Sequence, residues 1–400
     1  MKSLVVGAGF AGLAAAEELQ RAGVEVEVFE ARRRVGGRVW SVPFAGAVAE
    51  RGAEFIFPDH EEVIASAARL GLRLVRKGTR YGDREPRGGE PVARAEVMAA
   101  VARMRAEAPS GRTVAEALAG YGLETRVLEA IRARLEVSCA YTAADLDAQA
   151  LVEGAGAFGP FDSYGVEGGN GRLAQEMAVR LGGSVRLATP VSKISWSEGE
   201  VRVVDRAGRS SRADVAVVAI PAAVIWAIAF DPPLPAAKWA ALGSVRYGQA
   251  AKLFVALREP APPSATLSVP ERFWCYTQLG PDGNPLSFVT AFAGTLQALE
   301  SLAVAFGPKR WLTALSRLRP DLELEPDSAL LSRWDDDPWA WGAYSATSVA
   351  SPLDTEELRR PVGPLSFAGE HTAGAWHGLM EGALRSGRRA AQELLQTAAR

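Results

Sequence analysis

The chain has almost no cysteine: two residues, Cys139 and Cys275, in a length of 400. Their contexts are unrelated, so neither a disulfide framework nor a CxxC metal site is expected. Histidine is nearly as sparse, at three. His371 and His377 have no carboxylate at ligand spacing, and no metal is expected. An excess of one charge is missing too. Lysine and arginine total 45 against 47 acids, a net charge of −2. That balance gives no electrostatic case for a nucleic-acid partner. No uncharged run reaches about 18 residues, so no membrane-spanning helix is expected. The glycine motif begins at Gly7 and leaves no room for a signal peptide. The expectation is a reduced, cytoplasmic protein, monomer or homodimer, with no membrane partner. Low-complexity segments and internal repeats are also absent. The apolar content of 48% and charged content of 23% are those of a folded chain. Its length suffices for two or three domain-sized cores.

What is present starts at once. Leu4-Val5-Val6 runs into Gly7-Ala8-Gly9-Phe10-Ala11-Gly12, then an alanine-rich helical stretch Ala11–Ala22. Val24 to Phe29 follows, and then Glu30. Strand, glycine turn, helix, strand and acid make up a dinucleotide-binding βαβ unit. Gly7 permits the tight turn. Gly9 lets backbone approach a pyrophosphate, and Gly12 lets the helix pack closely. Free N–H groups at the helix start then face the phosphates. Glu30 is placed to accept bonds from ribose hydroxyls. Next come Ala31, Arg32 and the turn Gly36-Gly37-Arg38, a backbone bend beside a fixed cation suited to a pyrophosphate.

Further along, Asp59 reads as the N-cap of a helix over Glu61–Leu70, closed by Gly71. The stretch from Ala95 to about Ala150 is mostly helical in pattern, with a capping box at Thr113-Val-Ala-Glu116. A glycine turn at Val166–Gly171 leads into a helix over Leu173–Leu181. A hairpin pairs Val201–Val204 with Ser211–Val215, and Val215–Ile220 reads as a strand buried on both faces. Leu365–Ala368 is a strand, and a long helix starts near Gly378. Nucleotide-binding signals at both ends enclose material of another character. The fold expected is α/β, a Rossmann-like domain assembled from separated segments with an inserted α+β domain.

These motifs resemble the flavin amine oxidases, which include monoamine, polyamine and L-amino-acid oxidases. The resemblance rests on Gly7–Gly12, Phe29-Glu30-Ala31, Val35-Gly-Gly-Arg38 and Arg51-Gly52-Ala53-Glu54-Phe55. It continues through Gly168–Leu173, Ala250-Ala251-Lys252-Leu253, Trp334–Ser345, Phe367–Glu370 and Trp376–Ala383. It is weakest over 75–160 and 255–330. It implies an FAD-binding domain over 1–75, 160–240 and 335–400, and a substrate domain over 76–159 and 241–334.

The resemblance also implies roles. FAD would be held by Gly7, Gly9, Phe10, Ala11, Gly12, Glu30, Ala31, Arg32, Gly36, Gly37 and Arg38. Arg51, Gly52, Ala53, Glu54, Val191, Gly369, Glu370, Leu379 and Met380 complete that set. Val191 would pair with adenine through its backbone. Met380 would offer its N–H to the flavin at a helix start. Lys252 is the implied catalytic lysine, binding a water that aids reaction with oxygen. Tyr344 and Trp376 are implied walls of an aromatic cage. Leu379 stands where monoamine oxidases have a second tyrosine, and Ala343 where animal enzymes have the flavin-linked cysteine, so FAD is expected without a covalent link. The implied reaction passes hydride from the α-carbon of a primary or secondary amine to flavin N5. The imine then hydrolyses to aldehyde plus ammonia or amine, and oxygen is reduced to hydrogen peroxide. An L-amino-acid oxidase would need a cation for the carboxylate, with Arg51, Arg80 and Arg84 as candidates. A polyamine oxidase would want acids in the tunnel, such as Glu54. A non-catalytic flavin-containing binding protein is the reading from another class.

Overall fold

The computed structural model describes residues 1–107, 111–151 and 161–398. The boundary expected at 159–160 and the tail Ala399-Arg400 lie outside them.

A five-stranded parallel sheet runs in the order Leu365–Phe367, Val215–Val218, Lys2–Val6, Glu25–Phe29, Val185–Arg186. Strand side chains alternate between faces. Val5, Val26, Val28 and Val217 therefore meet helices Phe10–Arg21 and Met380–Ala398 on one side. Leu4, Val6, Ala216 and Val218 meet Ile194, Val201 and Val203 on the other. These last belong to a four-stranded sheet ordered Ser210–Ala213, Glu200–Asp205, Val191–Ser197, Ala229–Asp231. The result is a layered dinucleotide-binding architecture, with strands drawn from both ends of the sequence.

The boundaries differ from expectation in instructive places. The hairpin strand stops at Ala213 and the parallel strand begins at Val215. Asp214 separates them, its carboxylate accepting the Lys2 N–H at 2.7 Å. The parallel strand ends at Val218, which frees Ile220 to face the cavity described below. Asp59 does not cap the helix Glu61–Arg69. The carboxylate of Glu381 does, accepting from the N–H groups of Glu62 and Val63 at 3.0 Å each. The cap thus comes from the first turn of the last helix. The box of Thr113 and Glu116 forms as expected.

A second sheet has six strands, ordered Leu324–Arg333, Ala250–Leu257, Phe288–Gly294, Phe273–Thr277, Ser264–Ser268, Glu85–Arg87. All its pairs are antiparallel except the last. Alternation again assigns faces. Ala251, Leu253, Val255, Phe273, Cys275 and Val289 pack under Trp311 and Leu315 of the helix Lys309–Leu318. Trp274 and Tyr276 point the other way, toward Ile131 and Leu135 of the helix Thr125–Cys139. Lys252 pairs in register with Phe292, and Phe292 with Trp274, so all three share that second face. Both cysteines are buried thiols, each pushed up to about 12 by burial.

Candidate active site

The turn after the first strand is built by exclusion of side chains. Gly7 holds φ +106°, and a Cβ there would lie 2.6 Å from the Ala219 carbonyl oxygen. At Gly12 a Cβ would lie 1.8 Å from the Gly7 carbonyl oxygen. Beside Gly9, in contrast, there is nothing within 4 Å of a Cβ position, and the helix begins at the next residue. That opening at a helix N-terminus is the cradle a pyrophosphate needs. Glu30 is fixed beside it. Its two oxygens accept the N–H groups of Ala8 and Arg32, each at 2.8 Å. A carboxylate has about four acceptor positions, so two remain for ribose hydroxyls. Burial pushes the Glu30 pKa up. The residues present therefore fit an adenine dinucleotide.

The cations of the following loop have partners of their own. Both terminal nitrogens of Arg32 bond Asp337, at 2.7 and 2.6 Å. Arg38 Nη1 donates to Glu370 at 2.8 Å and to the Ala343 carbonyl at 2.9 Å. Glu370 also accepts from Ser345 Oγ and from the Gly378 N–H. Burial alone would raise its pKa, but Arg38 and these donors outweigh it and hold the group at about 2. Arg51 stacks on Trp40 at 3.9 Å, with Arg34 also over that ring at 4.6 Å.

Beyond this loop lies a buried ionic cluster. Lys252 Nζ donates to Glu54 Oε2 at 2.6 Å and to the Glu50 carbonyl at 2.9 Å. Glu54 also accepts from Lys77 at 3.2 Å and from the Tyr276 hydroxyl at 2.5 Å. Burial opposes its ionisation, yet Lys252 and Lys77 prevail and hold it at about 2. Nearby, Tyr344 donates its hydroxyl to the Ser138 carbonyl.

One cavity of about 300 Å³ joins these parts. All the cofactor residues singled out from the sequence line it except Gly12, which packs beneath the turn. Lys252, Tyr344 and Leu379 line it too. Trp376 does not. The short turn Gly374–Trp376 carries its ring under Arg385 at 4.9 Å and against His60 at 6.0 Å. The aromatic wall comes instead from Phe55, Phe57, Tyr81, Trp274, Tyr276 and Phe292. Sequence reasoning missed these. The alternation Phe273-Trp274-Cys275-Tyr276 was the signal for two of them. Of the candidate cations for a carboxylate, Arg51 lines the cavity and Arg80 is exposed beside Asp83 and Asp162. Arg84 is buried behind the aromatic wall.

The family model for flavin containing amine oxidoreductase matches residues 10–98 and 130–395. The chain belongs to the flavin-containing amine oxidoreductases. This family membership makes it a flavin-dependent enzyme of amine oxidation, with FAD as cofactor. Mycobacterium tuberculosis AofH, named as a flavin-containing monoamine oxidase, is 30% identical over 98% of this chain and 96% of its own length. Putrescine oxidase of Kocuria rosea is 28% identical over 98% and 94%. Among solved structures, putrescine oxidase bound to putrescine superposes with a TM-score of 0.86 at 22% identity, covering 99% of both chains. Cyclohexylamine oxidase from Brevibacterium oxydans IH-35A gives 0.83 at 21%, covering 100% of this chain and 99% of that one. These structures share the fold. Among the described residues no cluster could hold a metal ion, and no helix is long and apolar enough to cross a membrane.

Proposed function

We propose that this chain oxidises a primary or secondary amine bound as the neutral base between the aromatic wall and the flavin. Segments 1–75, 160–240 and 335–400 bind FAD in this reading, and 76–159 with 241–334 bind substrate. The observation that carries it is the continuity of one cavity from the glycine turn to Lys252 and the aromatic side chains. Bound FAD supplies the hydride acceptor.

This chain's residues bind, orient and exclude water. Phe292, Trp274, Tyr344 and Leu379 present apolar surface that fixes the amine and strips its hydration. An ammonium has three donors, and two of Lys252's are taken by Glu54 and the Glu50 carbonyl. The third is free to hold a water in the cavity, close to where oxygen must react. Glu54 keeps Lys252 oriented. Glu370 and Arg38 brace the loop that carries Ala343. Ala343 offers no nucleophile, and neither cysteine lines this cavity, which supports non-covalent FAD. The released imine takes up one water and splits into a carbonyl compound and ammonia or an amine. No side chain is required as a general base if the amine binds neutral.

Anaerobic titration of the purified protein with amines tests this directly. A yellow protein whose visible absorbance bleaches with an amine, then recovers in air with release of hydrogen peroxide, is the expected result. Protein without flavin, or flavin that no amine bleaches, would overturn the reading.

A further inference from the structure

Arg84 is 3% exposed, yet no carboxylate lies within ion-pairing distance of it among the described residues. Its Nε donates to the Tyr81 carbonyl at 3.2 Å and its Nη1 to Ser138 Oγ at 3.1 Å, while Nη2 has no hydrogen-bond partner among the described residues. The guanidinium carbon lies 3.7 Å from the Trp274 ring centroid and 4.4 Å from that of Tyr81. Arg134 adds a second guanidinium, 4.8 Å from the Tyr81 ring. Trp274 and Tyr81 line the cavity and Arg84 does not, so the cation stands behind the wall.

An aromatic face attracts a cation because its quadrupole makes that face negative. Arg84 covers one face of Trp274, on which Tyr276 also stacks at 4.2 Å, and a buried guanidinium with no carboxylate partner among the described residues offsets the negative potential of the rings it touches. Trp274 and Tyr81, already engaged by a cation, are then poor partners for a second ammonium group. Carboxylates could replace them, and the described cavity lining has three: Glu30, Glu54 and Glu370. Glu30 lies in the glycine-turn region and is held by backbone N–H groups. Lys252 and Lys77 neutralise Glu54, and Arg38 neutralises Glu370. Among the described residues lining the cavity, no uncompensated carboxylate remains at the aromatic end.

We propose that Arg84, acting through Trp274 and Tyr81, makes this end of the cavity cationic and excludes substrates with a second ammonium. The substrate class is then monoamines whose remote end is neutral, and diamines and polyamines are rejected. This rests on the amine-oxidase reading above and narrows it. Arg84 touches no reacting atom in this scheme; it sets specificity through the potential of the wall.

The test is a matched charge series: n-hexylamine, 1,5-diaminopentane and 6-aminohexanoate, which differ chiefly in the charge of the remote end. With the FAD-loaded protein, kcat/KM for n-hexylamine should exceed that for 1,5-diaminopentane by about tenfold or more, the scale of one unscreened like charge across a partly buried site. In Arg84→Met the ratio should fall by about fivefold or more, the remainder being the cost of desolvating a second ammonium against apolar rings. A merely structural role would slow both amines alike and leave the ratio unchanged, and that result overturns the proposal. The same three compounds, ranked by the rise in melting temperature they give the wild-type holoenzyme, need neither turnover nor a stable variant. The diamine should rank last. Binding of the diamine as tight as that of n-hexylamine overturns the proposal. The expected ranking without turnover would leave the proposal standing and defeat only the oxidase reading.

Discussion

Lys252 and Glu54 form a 2.6 Å ion pair in which neither side chain is more than 8% exposed. One comes from the strand Ala250–Leu257 of the six-stranded sheet and the other from the loop after the strand Ala47–Glu50. The pair therefore couples the sheet that carries the aromatic wall to the loop that lines the flavin cavity.

Lys252→Met should act on two levels. Reoxidation of reduced enzyme by oxygen, followed by stopped flow, should slow by about tenfold or more, as a charged hydrogen bond at the reacting site is lost. Stability should fall by about 3 kcal/mol, because Glu54 keeps only Lys77 and Tyr276 as side-chain partners among the described residues. The double variant Lys252→Met with Glu54→Gln should recover part of that stability in urea titration, since no charge is left stranded. Unchanged reoxidation would remove Lys252 from the proposed role.

Arg38→Met strands Glu370 in the same way. Glu370 is buried and ionised, and Arg38 is its only ion-pair partner among the described residues. A loss of about 3 kcal/mol and release of FAD on gel filtration are expected. Glu370→Gln should be milder, because the amide still accepts from Gly378.

Acid should destabilise the protein in two stages. His371 is buried and its pKa is lowered to about 4 by desolvation, so the folded form binds this proton less readily than the unfolded chain. Its contribution is complete above about 6.5 and is lost as pH falls from there toward 4. Glu54 and Glu370 have lowered values near 2, so their contributions are complete above the ordinary carboxylate range and vanish as pH falls through 2. Urea midpoints measured from pH 7 to 3 should fall throughout. In His371→Gln the upper part of the fall should flatten while the lower part stays.

Gly12→Ala should abolish FAD retention. Its Cβ would meet the Gly7 carbonyl oxygen at 1.8 Å, and backbone on both sides leaves only distortion of the turn. A cost of about 1–3 kcal/mol is expected, read as a lower melting temperature in the apoprotein. Gly9→Ala, where a Cβ meets no protein atom within 4 Å, should spare apoprotein stability and still weaken FAD binding.

The contrast between local and distant signals explains what the sequence reveals. The βαβ unit was legible because its turn, helix and acid lie within one short stretch and each has a steric reason. Lys252 was legible from its apolar neighbours together with the family resemblance. The aromatic wall was not, because Phe55, Tyr81, Trp274 and Phe292 come from four separated segments that only the sheet register and loop packing bring together. The cap at Glu62 was hidden for the same reason, since its acceptor lies 319 residues away. Trp376 shows the converse: its place beside a flavin motif suggested a wall, but the turn aims its ring at Arg385.

The Glu381 cap has a consequence in time. Glu381 ties the last helix to the Glu61–Arg69 helix, and Gly387 lets that last helix approach the first so closely that a Cβ would lie 2.1 Å from the Ala11 carbonyl oxygen. The edge strand Leu365–Phe367 and Glu370 arrive with the same segment. A nascent chain emerging from the ribosome therefore carries its glycine turn for most of synthesis without the surfaces that close around it. Cofactor capture becomes a late event, coupled to synthesis of this segment rather than to folding of the glycine turn alone.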